Sequence, residues 1–255
     1  MKREQFMNTY VDNYSFSETI QKMEEMIVNK SIAQHVAINA NKINMMYKSK
    51  ELKSIVDNSE LISADGQSIV WASKFLGNNV TERVTGIDLF ETLIYKASNK
   101  GYRVYYLGAE PEVLSRLISI QKKQYPKLQI AGAQHGYFDR KKSIEIADKI
   151  RDSHADILFV AFSSPEKELW INKYKDYMKV PLVVGVGGSF DVVSGKISRA
   201  PKWMQKLGLE WFYRLINEPI RLFNRYIVGN TVFVFHIFKE KLNTKRRLNG
   251  KESSK

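Results

Sequence analysis

Between residues 101 and 188, short β-branched or aromatic runs alternate with amphipathic stretches, and this alternation limits the possible folds more than any other feature of the chain. YRVYYLG precedes AEPEVLSRLISIQKKQYP, LQIAGAQHGYF precedes DRKKSIEIADKIRDSHA, ILFVAFSS precedes PEKELWINKYKDYM, and PLVVGVGG closes the series. A strand covered on both faces reads as a continuous apolar run, and strand–helix–strand repeats build parallel sheets with helices against them. The pattern predicts an α/β, Rossmann-like parallel sheet with flanking helices over residues 85–195. The stretch up to residue 60 reads as mostly helical, with HVAINAN as one candidate strand. ELISADG ends in an Asp-Gly turn signal, and QSIVWASKFLG spaces Ile69, Val70, Ala72, Ser73 and Leu76 as a helix closing on Gly77.

After Asp191 the composition shifts. RAPKWMQKLGLEWFYRLINEPIRLFNRYIVGNTVFVFHIFKE is basic and aromatic, and it reads as two or three helices interrupted at Gly208 and Pro219. The predicted organisation is an α/β core over 1–195, with its helical portion over 1–84 and its sheet over 85–195, and a C-terminal appendage over 196–255 that ends in a frayed basic tail. The appendage region 200–255 holds 12 Lys or Arg against 4 Asp or Glu, a large part of the formal net charge of +13. Such a bias fits nucleic acid, an anionic lipid surface or phosphorylated substrates. No run of 18 uncharged apolar residues occurs, so no bilayer-spanning helix is expected, and the N-terminus has no run of signal-peptide type. There is no cysteine, which excludes disulfides, thiolate zinc and a cysteine nucleophile. The histidines at 35, 135, 154 and 236 lack metal-ligand spacing and no D-x-D occurs, so neither a tightly held metal nor a cofactor is expected.

In open parallel sheets ligands lie beyond the carboxyl ends of the strands. Here those ends are Gly108 to Pro111, Gly136-Tyr137, Ser163 to Pro165 and Gly185 to Asp191. VGVGGSFDVVSG, with Gly187 and Gly188, reads either as a tight strand-to-helix turn or as a loop whose N–H groups approach a phosphate. It matches neither a Walker A loop nor GxGxxG. Asp65, in Ala-Asp-Gly before a helix, reads as a capping or turn carboxylate or as a general base. Arg83 reads as a surface partner of Glu82 or as a phosphate ligand. With Ser164 as cap and Pro165 first in its helix, Lys167 falls at the third helical position, where a cation opposes the helix dipole. Either a bound anion or the neighbouring Glu166 and Glu168 would account for it. On a continuous helix Arg214, Arg221 and Arg225 would fall within roughly 40° of one another, whereas a break at Pro219 would leave only Arg221 and Arg225 as a pair. Among aromatics such arginines suit anionic lipid or a lipid diphosphate, and equally an ordinary helix packed on a core.

Taken together, ADGQSIVWASKFLG, ERVTGIDLF, YYLGAEPEV, GYFD, SSPEKELWI, GVGGSFDVVSGKISRAP and LGLEWFYRLINEPIRLFNRY resemble, in order and spacing, the WecG/TagA/CpsF glycosyltransferases (glycosyltransferase family 26). The resemblance covers residues 33–228. It implies inverting, metal-independent transfer of a sugar, commonly N-acetylmannosamine, from a UDP-sugar to an undecaprenyl-diphosphate-linked N-acetylglucosamine in teichoic acid or other surface polysaccharide synthesis. It further implies work at the inner face of the cell membrane, on an anionic surface. Carried onto this chain, Asp65 matches the base, Arg83 a catalytic or phosphate-binding arginine, and Asn39 an active-site polar position. Gly136-Tyr137 and Gly187 to Asp191 match the nucleotide side, and Arg214, Arg221 and Arg225 the segment that completes the site. Gly108, Ser164, Lys167 and Glu168 join them as substrate-binding candidates at the strand ends.

Two departures stand out. The family's usual Thr-x-Asn reads Ala37-Ile38-Asn39 here, and its Pro-x-Gln-Glu reads Pro165-Glu166-Lys167-Glu168. Losing a neutral hydrogen-bonding group beside a sugar or diphosphate alters selectivity more than reaction class. The departures also motivate a rival expectation, a non-catalytic nucleotide-sugar-binding partner of an active paralogue. A homo-oligomer is left open, and a nucleic-acid partner, suggested by charge alone, is not expected.

Overall fold

The computed structural model describes residues 3–80 and 82–252, without the side chains of 221 and 244–252. Its strands are β1 (Arg3–Phe6), β2 (Thr9–Asp12), β3 (Ala33–Ile38), β4 (Leu61–Ala64), β5 (Arg103–Gly108), β6 (Gln129–Gln134), β7 (Ile157–Ala161) and β8 (Leu182–Gly185). The last six form one parallel sheet in the order β4-β3-β8-β7-β5-β6. The Rossmann-like α/β architecture is therefore as expected, and its interior strands β3, β8 and most of β7 are buried along their length, as parallel strands must be.

The sheet nevertheless reaches well outside 85–195. β3 falls on the candidate strand HVAINAN, and β4 adds a second strand from the portion over 1–84 read as helical. β4 is only four residues long, too short for any periodicity to register. The β1–β2 hairpin is a second correction. Its two-residue turn is Met7-Asn8, with Met7 at φ 52°, and lacks the glycine that usually marks such turns. This hairpin guards the open edge of β4: the Asp12 carboxylate accepts the Ile62 N–H at 2.7 Å and pairs with Arg3 at 2.8 Å.

One face of the sheet is filled by an aromatic core in which Phe90 meets Phe159 edge-on at 4.8 Å and Tyr106 meets Phe190 at 5.6 Å. Two clusters cover the other face, one around Ile38, Ile43 and Ile62 and one around Leu107, Val160 and Trp170.

The appendage breaks where expected. Gly208 (φ 73°) separates Lys202–Lys206 from Glu210–Asn217, and Pro219 opens Pro219–Phe223. Its three arginines do not share one helix. Arg214 lies in Glu210–Asn217, Arg221 in Pro219–Phe223 and Arg225 in a π-helical turn, Asn224–Val228, so the 3.6-residue period that would align them is lost. A final helix, Gly229–Glu252, runs through the segment expected to fray, where Lys, Arg and Leu are good helix formers on an established helix. It is anchored to the core: Phe233 is buried among Ile43 and Ile69, Asn44 donates to the Gly229 carbonyl at 2.7 Å, and Tyr47 stacks on His236 at 3.9 Å. No helix among the described residues is long and apolar enough to cross a membrane.

Truncating Phe233 to Ala should cost about 3 kcal/mol, the usual loss for a buried phenyl group. Chemical denaturation measures it, and a loss below about 1 kcal/mol would mean that this helix is not part of the folded core.

Candidate active site

Every strand of the sheet ends on a residue of interest at the same edge. Asn39 follows β3, Asp65 follows β4, Gly187-Gly188 follows β8, Ser164 follows β7, Gly108 ends β5 and Gly136-Tyr137 follows β6. The chain builds Asp65 into place with two backbone bonds. Its N–H donates to Ile38 O at 2.8 Å, and the Val84 N–H donates to Ala64 O at 2.8 Å, which brings the Arg83 segment alongside. Asp65 is not a helix cap: the cap of Gln67–Leu76 is Gly66 (φ 132°), with no side-chain cap bond. Half-buried, the Asp65 carboxyl is pushed above the usual carboxylate range by desolvation, opposed by the charges of Arg214, Arg83 and Lys42 and reinforced by Glu210. A carboxylate so tuned, among cations, can take a proton from a hydroxyl.

Lys42, Lys167 and Glu168 form the most deeply buried charged group. Glu168 is wholly buried, and its Oε1 accepts from Lys42 Nζ at 2.6 Å and lies 3.5 Å from Lys167 Nζ. The Ser164 hydroxyl donates to the same oxygen at 3.1 Å, while Oε2 has no partner among the described residues. The two lysines hold the Glu168 carboxyl down at about 2 against the cost of burial. Burial and the nearby Lys42 push Lys167 down to about 8. Burial, Lys42 and Lys167 likewise push His35 down to about 3, so it stays neutral, within hydrogen-bonding distance (2.8 Å) of Ser63 Oγ.

This geometry corrects two expectations. The Ser164–Pro165 bond is cis and the helix begins at Glu166 with Pro165 as cap, so Lys167 sits one position earlier than predicted and the Ser164 hydroxyl serves Glu168. Of the two flanking acids, Glu168 answers Lys167, whereas Glu166 pairs with Arg140. Being wholly buried, Glu168 reaches a substrate only through the lysines it holds. The Lys167 stem crosses β8 where Gly185 makes room: a Cβ there would lie 2.6 Å from Lys167 Cε. Its ammonium thereby arrives beside Gly187, at φ 53°.

Arg83 does not pair with Glu82, which accepts the Phe16 N–H at 2.8 Å. It reaches the appendage instead, donating to Glu210 Oε2 at 2.8 Å and to Gln205 O at 3.2 Å. Arg214 is the appendage arginine whose charge is felt at Asp65. Arg225 is exposed against Tyr226, and the Arg221 side chain lies outside the described residues. Asn39 caps Ala40–Lys48, accepting the Lys42 N–H at 3.0 Å, so its carbonyl is engaged before any ligand arrives. At Gly108 (φ 126°) a Cβ would lie 2.9 Å from the Ala161 backbone, and at Gly136 one would lie 3.0 Å from the Phe162 ring, so packing already requires glycine at both. Beside them Tyr137 is 70% exposed. Asp191 lies 4.0 Å from Lys196, which also pairs with Glu110 at 2.7 Å. Lys42 and Glu210 escaped the sequence reading. Lys42 is one lysine in a mixed helix, and Glu210 finds Arg83 across 127 residues, which no local pattern reports.

The carboxyl edge of a parallel sheet, where Asp65 stands among several cations, suits a donor activated by a diphosphate. The chain matches the model of the glycosyl transferase WecG/TagA/CpsF family over residues 4–247, and it belongs to that family. A protein of Bacillus spizizenii is 39% identical over 169 residues, which is 66% of this chain and 65% of that relative. One of Bacillus subtilis is 30% identical over 246 residues, 96% of this chain and 94% of that relative. Both bear the name N-acetylglucosaminyldiphosphoundecaprenol N-acetyl-beta-D-mannosaminyltransferase.

Replacing Glu168 by Gln strips both buried ammonium groups of their carboxylate and should cost roughly 3–5 kcal/mol. The stabilisation is complete above the ordinary carboxylate range and is lost as pH falls through it towards about 2, so the variant and wild-type denaturation curves should converge in acid. Equal stability of the two at neutral pH would show that the triad is not a folded-state ion cluster.

Proposed function

We propose that this chain is an inverting glycosyltransferase that moves N-acetylmannosamine or a related hexose from a UDP-sugar to an N-acetylglucosaminyl group on undecaprenyl diphosphate. The observation that carries this reading is Asp65, a half-buried carboxyl free of any capping role and surrounded by Arg83, Arg214 and Lys42. Asp65 removes the proton of the acceptor hydroxyl as its oxygen bonds to the anomeric carbon. The bond from that carbon to the diphosphate oxygen breaks, and UDP leaves with the electron pair. Arg83, Lys167 and the N–H groups of Gly187-Gly188 meet the charge that develops on the leaving group. Tyr137 and Asp191 lie towards the nucleoside, and the names of the two relatives support the sugar and the lipid acceptor.

Membrane association rests on the appendage and the helix beneath it. Ile216, Ile220, Phe223, Phe235 and Phe238 are exposed there among basic residues, and Trp71 and Phe75 of Gln67–Leu76 add to them. An apolar surface with cations fits an anionic bilayer, here the inner face of the cell membrane during surface polymer synthesis. The rival, a non-catalytic nucleotide-sugar-binding partner, is motivated by Ala37 and Lys167. Release of UDP from a panel of UDP-sugars with a lipid-diphosphate acceptor separates the two.

Asp65→Asn should abolish transfer while UDP binding, read by calorimetry, stays within about twofold, because only the proton acceptor is lost. Turnover within a few-fold of wild type would remove Asp65 from the base role. Because Phe233 belongs to the core, point variants test the membrane contact better than truncation. Ile220→Ser with Phe223→Ser should weaken sedimentation with anionic vesicles at least about tenfold, and unchanged sedimentation would sink the membrane assignment.

A further inference from the structure

We infer that Glu210 is a positioning residue which aims the Arg83 guanidinium at the site, so that docking of the appendage prepares the leaving-group side of the reaction. This rests on the proposed role of Arg83. Arg83 stands in an irregular segment between Gln67–Leu76 and Gly86–Lys100, and the backbone there constrains its side chain little. Its direction is set from the appendage, by Glu210 Oε2 at 2.8 Å and Gln205 O at 3.2 Å. Glu210 is itself fixed. Its Oε1 lies 3.5 Å from Arg199 Nε, and Arg199 is clamped through Nη2 on Asp88 at 2.6 Å and through Nη1 on Glu91 at 3.4 Å. An ion chain thus runs from the Gly86–Lys100 helix through Arg199 and Glu210 to Arg83.

A second, independent contact presses the same segment onto the Asp65 loop. Gly208 at φ 73° lies so close to Gln67, two residues after Asp65, that a Cβ would come within 2.6 Å of the Gln67 Cβ. Gln205, Gly208 and Glu210 therefore register the appendage against both Asp65 and Arg83. A planar guanidinium held at two of its nitrogens keeps its fork directed, and fixing a charge before the transition state avoids reorganisation during it. A displacement of about 1 Å at such a group costs on the order of 100-fold in rate.

The test uses the full chain, UDP-N-acetylmannosamine and an N-acetylglucosaminyl-diphospholipid, with UDP release as readout. Glu210→Gln should lower kcat roughly 10- to 100-fold with donor KM within about twofold, and Glu210→Asp should recover some of the loss. In an Arg83→Ala background Glu210→Gln should add nothing. The acid limb of the pH profile supplies a readout that a merely structural role would not move. Around Asp65 stand Arg83, Arg214, Lys42 and Lys167 as cations and Glu210 as the acid that raises it, so Glu210→Gln should shift that limb to lower pH. Wild-type kcat for Glu210→Gln, a gain in kcat (occlusion of Arg83 rather than aim), or losses that multiply in the double variant would each overturn the inference. Full activity of Arg83→Ala alone would instead overturn the reading of Arg83 on which it rests.

Discussion

The candidate site hangs on one carboxylate that no solvent reaches. Glu168 holds Lys42, from the helix after β3, and Lys167, from its own helix after β7, and the Lys167 stem passes over β8 at Gly185. Three strand ends are thus tied together by charge rather than by backbone. Two ammonium groups near helix N-termini are individually unfavourable, since each opposes a helix dipole and each is desolvated. A single shared acid makes both tolerable, and it leaves a surplus of positive charge, with the Lys167 ammonium beside Gly187. That surplus is a property of this chain, because a glutamine at 167 would add none.

The sheet was legible wherever strand and helix alternate at full length, from β5 to β8, since burial on both faces writes itself into the residue types. β4 and the β1–β2 hairpin were not, because they lie outside that alternating series and the Met7-Asn8 turn lacks a glycine signal. The site divides in the same way. Asp65, Gly187 and Ser164 are visible as strand-end residues with turn chemistry around them, and the structure puts them at one edge. Lys42 beside Glu168, and Glu210 beside Arg83, are pairings across 126 and 127 residues. Such pairings exist only once the chain has folded. The arginines of the appendage divide at Pro219, a break its proline already signals, and only the π turn after it, which changes the Arg221–Arg225 spacing, was hidden.

The appendage is consequently less separate than its composition suggests. Phe233 completes a core cluster, Gly208 closes on Gln67 and Glu210 holds Arg83, so three kinds of contact (apolar, steric and ionic) join it to the sheet. Its outward side stays apolar and basic. One segment therefore bears on Arg83 and the Asp65 loop with one face and presents a lipid-compatible surface with the other.

The β1–β2 hairpin bears on how copies of this chain meet. By spending the Asp12 carboxylate on the Ile62 N–H, it occupies a donor that an extended peptide would need in order to add itself to β4. Sheet-to-sheet growth through that margin is opposed, and association between molecules at this edge must be built from side-chain surfaces rather than from a shared, continued sheet.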